Sequence, residues 1–192
     1  MAKAGDEIQH PVTGERITWR SVASDTGGRL LQADLYALPQ ATPAAAHIHP
    51  HQEERFEVVR GTLKLDVAGV VQILHAGDTA VVPKGTPHTW WNVGEDEAHI
   101  VADVRPALRT ELFFETFFGL ANDGKTNRRG MPNLLQFAAI AREFEDEVRL
   151  AKPPAAVQRV VFTPLAILAR LMGYRGWYPR YSATPMDKRQ LP

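Results

Sequence analysis

The sequence predicts a mainly β domain, a sandwich or closed barrel, followed by about three α-helices. From Ile17 to about Arg105 apolar residues alternate with polar ones, as in Leu31, Ala33, Leu35, Ala37 and again in Leu63, Leu65, Val67. A period of two is the mark of a half-buried strand. Turn-forming clusters cut this stretch into short pieces: Asp25 to Gly28, Ala68-Gly69, Ala76 to Asp78 and Asn92 to Gly94. After Pro106 the period changes to three and four, which is helical.

Some eight short strands with no helical window among them fit an architecture that closes on itself, since closure also removes exposed edges. The first helix carries Leu108, Leu112, Phe113, Phe117, Leu120 and Ala121 and stops at Asn122-Asp123-Gly124. The second starts near Asn133 with Leu134, Phe137, Ala138, Ala141, Phe144 and Val148 as its stripe, and Lys152-Pro153-Pro154 ends it. Its charged run Arg142 to Glu147 reads as a solvated face. The third, about Ala155 to Met172, is apolar almost all round, which calls for burial against its own domain or a second subunit. Pro164 is expected to kink or split it. Tyr174 to Tyr181 can pack as an aromatic strap. The division expected is therefore 1–107 for the barrel with its N-terminal strands, 108–181 for a helical extension packed on it, and 182–192 for a flexible tail.

Composition narrows the chemistry. Basic and acidic side chains balance at 22 each, so no net charge points to nucleic acid or to a membrane surface. Acidic residues prevail before Arg105 and basic ones after it, so the two parts can dock on each other. There is no cysteine, which excludes disulfides, thiolate nucleophiles and sulfur-ligated metals. Any metal must be held by nitrogen and oxygen. Residues 1–7 lack the apolar core of a signal peptide and no segment reaches the ~20 apolar residues of a membrane span; a cytoplasmic protein is the expectation.

Ligand-type side chains gather in two blocks. His47 and His49 are two apart in a strand context and so share a face. Glu54, after the turn at Pro50, shares phase with Phe56 and Val58. His88 follows the turn Pro83 to Pro87, with Trp90 in its phase. Three imidazoles and a carboxylate suit zinc, iron, nickel, copper, cobalt or manganese. His10, His75 and His99 stand alone and read as structural. His51 and Glu53 read as solvated residues of the first block's turn, and Glu57 and Arg60 as outward-facing.

The spacing of these blocks resembles the two signature motifs of the cupin superfamily. The first is His-x-His, four residues, Glu, six residues, Gly, filled by His47, His49, Glu54 and Gly61. The second is Gly, five residues, Pro-x-Gly, two residues, His, three residues, Asn, filled by Gly77, Pro83, Gly85, His88 and Asn92. The 15 residues between Gly61 and Gly77 are similar to the short spacing of small bacterial single-domain cupins of the type 2 conserved barrel, also called RmlC-like. The resemblance implies a double-stranded β-helix, or jelly-roll, and makes His47, His49, Glu54 and His88 ligands of one divalent transition metal (Fe, Mn, Ni, Zn, Co or Cu). The motifs do not require the helical extension, but the whole chain resembles small bacterial cupins with a C-terminal helical tail. Phe56 and Trp90, in phase with ligands, are the expected substrate-binding walls, with core packing as the equal alternative.

The function expected is that of a quercetin dioxygenase-like oxygenase on a small, partly apolar substrate. A non-redox isomerase or cyclase using the metal as Lewis acid, or a small-molecule-binding module without catalysis, are the alternatives. No nucleic-acid partner is expected. A homodimer is, because the apolar third helix needs a cover and similar cupins pair their barrels. The helices are expected to shape the pocket entrance, or else to pack on the outer sheet or at the dimer interface.

Overall fold

The computed structural model describes residues 2–39 and 45–182. The last segment of the expected tail, 183–192, lies outside the described residues. Ten strands run up to Arg105: β1 (Glu7–Gln9), β2 (Arg16–Ser21), β3 (Leu31–Ala37), β4 (His47–Ile48), β5 (Glu53–Arg60), β6 (Thr62–Val67), β7 (Val70–His75), β8 (Thr79–Val82), β9 (His88–Asn92) and β10 (Ala98–Arg105). One turn of helix, α1 (Ala23–Thr26), interrupts them, where the sequence showed no helical window. The tail adds α2 (Thr110–Asn122), α3 (Leu134–Glu143), β11 (Arg149–Leu150) and α4 (Ala155–Leu171).

The strands form two antiparallel sheets, ordered β1-β2-β3-β10-β5-β8 and β11-β4-β9-β6-β7, the jelly-roll arrangement. Their inner faces supply one core. β3 alternates buried and half-buried along its whole length, and Ile17, Trp19, Phe56, Val58, Leu63, Leu65, Val82, Ile100 and Val104 join it. Gly61, at φ 90°, makes the turn from β5 to β6; a Cβ there would lie 2.9 Å from the Ala98 Cα, so only glycine fits.

α2 is wedged between barrel and tail. Phe114, Phe117 and Phe118 pack toward the barrel core, with Phe114 6.3 Å from Trp19 and Phe118 edge-on to His10 at 5.2 Å. Leu112, Leu120 and Phe113 face a second core built with Ile140 and Phe144, against which Trp177, Tyr178 and Tyr181 pack as the expected strap.

Two expectations for the tail are corrected and a third is narrowed. The second helix stops at Glu143 instead of continuing to Lys152. The chain leaves the helix because Glu143 and Glu147 both close on Arg109 at the start of α2, at 2.8 and 2.9 Å, and because β4 has an open edge on which residues 149–150 pair as β11. The same contacts overturn the reading of 142–147 as a solvated face: Phe144 is fully buried and Glu147 is 3% exposed. Pro164 does not split α4, which runs unbroken through it. The carbonyl that Pro164 cannot satisfy belongs to Val160, on the exposed side of the helix. α4 is not covered by its own domain either. Only Gln158, Ala166 and Ala169 are buried, on the side that packs on α3.

Candidate metal centre

His47 and His88 sit opposite each other where β4 pairs with β9. His49 lies one residue beyond β4, and the turn of the second block is tied to it by a hydrogen bond from the Gly85 amide to the His49 carbonyl, 2.8 Å. Gly85 holds φ 75° there, which glycine adopts without strain. Glu54, the second residue of β5, points inward in phase with Phe56 and Val58. The two sheets thereby bring the two sequence blocks together. One donor atom from each of His47, His49, Glu54 and His88 falls within 4.8 Å of all the others, and the three imidazole centroids are 4.3, 5.0 and 5.4 Å apart.

Each ring is held from behind by a backbone carbonyl. Nδ1 of His47 meets the Ala45 oxygen at 2.8 Å, Nδ1 of His49 the Glu147 oxygen at 2.7 Å, and Nδ1 of His88 the Thr86 oxygen at 3.1 Å. A carbonyl only accepts, so each Nδ1 carries a proton that it donates, and in the neutral ring each Nε2 is left as a lone pair. The His49 and His88 lone pairs meet the Glu54 carboxylate, and the His47 ring lies beside both. The Glu54 Oε2 is 3.0 Å from His88 Nε2 and 3.5 Å from His49 Nε2. Acceptors at this separation repel unless a cation or a proton lies among them, so the donor set fits a divalent ion.

The protonation of the cluster without an ion follows the same logic. Burial pushes the Glu54 carboxyl up, but hydrogen bonds and charge from His49 and His88 outweigh it and hold the group well below the usual range. Burial pulls His49 down, yet its bond to Glu54 leaves it raised above its ordinary value. Desolvation and the neighbouring His49 and His88 push His47 down to about 3. The two shifts, His49 up and Glu54 down, are those of an ion pair.

The tail completes this site, and sequence reasoning missed that. Besides the Glu147 carbonyl and the pairing of β11 with β4, the Gln52 amide, between His49 and Glu54, donates to the Pro106 and Ala107 carbonyls and to Thr110 Oγ1 at 2.9, 3.0 and 2.7 Å. A main-chain carbonyl leaves no trace in side-chain spacing, and Glu147 was hidden in a charge run. Arg109 gave no signal at all.

The remaining expected residues fall as follows. Phe56 is fully buried in the core, 6.1 Å from the half-buried Trp90. His51 and Glu53 are exposed; His51 faces Asp146 at 3.5 Å. Asn92 caps its turn, accepting from the Gly94 amide and donating to the Ala37 and Asp96 carbonyls. His99 is bound to Asp34 at 2.5 Å and stacked on Tyr36, and His10 accepts from the Val12 and Thr13 amides, both structural. His75 is exposed on β7.

Residues 35–103 match the cupin domain family, a stretch that contains all four clustered side chains. Over those residues the barrel is a cupin domain. Among curated proteins, germin-like protein 3-5 of Oryza sativa is 30% identical over 111 residues, 53% of this chain and 48% of the relative. Oxalate oxidase 1 of Hordeum vulgare is 35% identical over 63 residues, 29% of this chain and 31% of the relative. The chain spans about half the length of the first of these relatives, and less of the second. An RmlC-like cupin from Shewanella frigidimarina overlaps 54% of this chain and 86% of its own at 21% identity, with a TM-score of 0.45. No helix among the described residues is long and apolar enough to cross a membrane.

Proposed function

We propose that this cupin is a metal-dependent enzyme in which His47, His49, Glu54 and His88 hold one divalent transition ion, and that it acts as an oxygenase of the quercetin dioxygenase-like kind on a small, partly apolar substrate. The observation that carries the reading is the gathering of three imidazoles and one carboxylate with ligand atoms within 4.8 Å of one another, each ring fixed by a carbonyl behind it. A bound ion of this set would supply Lewis acidity and, for a redox metal, activation of dioxygen. The protein's own part is to keep the imidazoles neutral and oriented, to hold Glu54 ionised, and to offer the Trp90 ring, packed on Phe56, as an apolar wall. The name of one relative, an oxalate oxidase, supports redox over purely Lewis-acid chemistry. The functional unit proposed is a homodimer in the cytoplasm, with no nucleic-acid partner.

Elemental analysis of the purified protein tests the first half: about one transition ion per chain is expected, and its loss in the double variant His47→Ala, His88→Ala. Full occupancy in that variant overturns the site. Oxygen consumption with a panel of phenols, diketones and small dicarboxylates tests the second half. A metal-loaded protein that consumes no oxygen with any of them, but isomerises a sugar or carbonyl substrate, replaces the oxygenase reading with the Lewis-acid one.

A further inference from the structure

α4 presents one face to solvent along its whole length. Val157, Val160, Val161, Ile167, Leu168, Leu171 and the following Met172 are 45, 76, 44, 58, 47, 82 and 60% exposed. The opposite face is spoken for: Gln158 donates to the Leu150 and Pro153 carbonyls, and Phe162 packs edge-on to Phe137 of α3.

The exposed stripe has an internal symmetry. Counted from Pro164, Val161 and Ile167 lie three residues away on either side, Val160 and Leu168 four, and Val157 and Leu171 seven. Read in either direction the helix shows the same apolar spacing, the three-and-four repeat of a helix–helix seam. A two-fold axis through Pro164 therefore lays the stripe on itself, as a face shared by two identical subunits requires.

We infer that α4 is the seat of a second copy of this chain, the two α4 helices packing antiparallel about a two-fold axis at Pro164. This rests on the homodimer reading above and names its surface. The seven apolar side chains on offer are each at least 44% exposed, a contiguous apolar patch of the kind that marks a protein interface. The helix macrodipole favours the antiparallel direction, in which the dipoles attract. α4 contains two arginines and no acidic residue. Both arginines already face acids of their own subunit, Arg159 with Glu145 at 3.6 Å and Arg170 with Glu143 at 4.0 Å. A rim neutralised in this way suits a protein partner better than an anionic lipid surface.

Light scattering on the full chain is the first measurement, with a mass twice 21.3 kDa expected. The double variant Val160→Glu, Leu168→Glu changes two exposed side chains of the stripe and should weaken association at least 100-fold while metal content and helicity stay unchanged. Because the chain has no cysteine, single cysteines report the geometry. Pro164→Cys should cross-link to its own copy on oxidation. Leu171→Cys should not, since the two copies of residue 171 would be separated by ~21 Å along the seam, beyond the reach of a disulfide. A wild-type monomer at all working concentrations overturns the homodimer itself. A dimer untouched by the glutamates overturns only the α4 assignment and moves the interface elsewhere, for instance to β7, where Val70, Val71 and Ile73 are exposed. Cross-linking at 171 and not at 164 refutes the antiparallel arrangement. A monomer that pellets with phosphatidylglycerol vesicles, and loses this in the double glutamate variant, assigns the stripe to a membrane surface instead. Metal content, measured on the same samples, stands or falls independently.

Discussion

Arg109→Ala tests whether the helical tail governs the metal centre. The guanidinium is 11% exposed, binds Glu147 and Glu143 at 2.9 and 2.8 Å, donates also to the Glu143 carbonyl at 2.5 Å, and lies 5.0 Å from the centre of the Phe144 ring. Removing it strands the Glu147 carboxylate, 3% exposed in its side chain, and takes the nearer ion pair from Glu143, which keeps Arg170 at 4.0 Å. Breaking a buried pair from one side costs about 3–5 kcal/mol, which in a chain of this size lowers the melting temperature by roughly 10 °C. The same residues fix the segment whose Glu147 carbonyl receives the His49 Nδ1 proton. Loss of such an outer partner typically weakens metal binding about 10–100-fold, so the dissociation constant should rise by that factor. Thermal denaturation of the apo protein and competitive metal titration of the folded protein read the two effects separately. Adding Glu147→Gln removes the stranded charge and should restore most of the stability. If stability falls as calculated while metal affinity stays within about twofold of wild type, the path from Arg109 to His49 is refuted.

Two further outcomes follow from the ionisable groups. His49 is raised by Glu54, so the apo protein keeps a proton there that the metal must displace; affinity should fall as pH drops, starting above pH 6.5, while Glu54, held low, adds no dependence in that range. Titrations between pH 8 and 5.5 that give one constant affinity contradict this. Glu111 is 1% exposed and burial pushes its carboxyl up to about 7 from 4.5. A raised acid costs nothing below its unfolded pKa, and the cost grows as pH rises to the folded one, to about 3 kcal/mol. Glu111→Gln should therefore match wild type near pH 4.5 in denaturant unfolding and exceed it by that amount at pH 8; an advantage independent of pH argues against the assignment.

The barrel and the ligand set were legible in the sequence because both rest on short periods. Alternation along β3 decides which side chains face the core, and the offsets around His47, His49, Glu54 and His88 survive folding because each lies in or beside a strand whose phase is fixed locally. Glycines and Pro83 marked the turns for the same reason. What only the tertiary structure decided are the contacts between distant segments. The early end of α3, the strand β11 and the burial of Glu147 follow from Arg109, some 38 positions away, and from the open edge of β4; neither leaves a mark in local periodicity. The apolar wealth of α4 was readable, but which of its faces is covered was not. A helix that is apolar nearly all round gives no sign of its own orientation, and packing on α3, with Phe162 against Phe137, is what left the symmetric stripe facing outward.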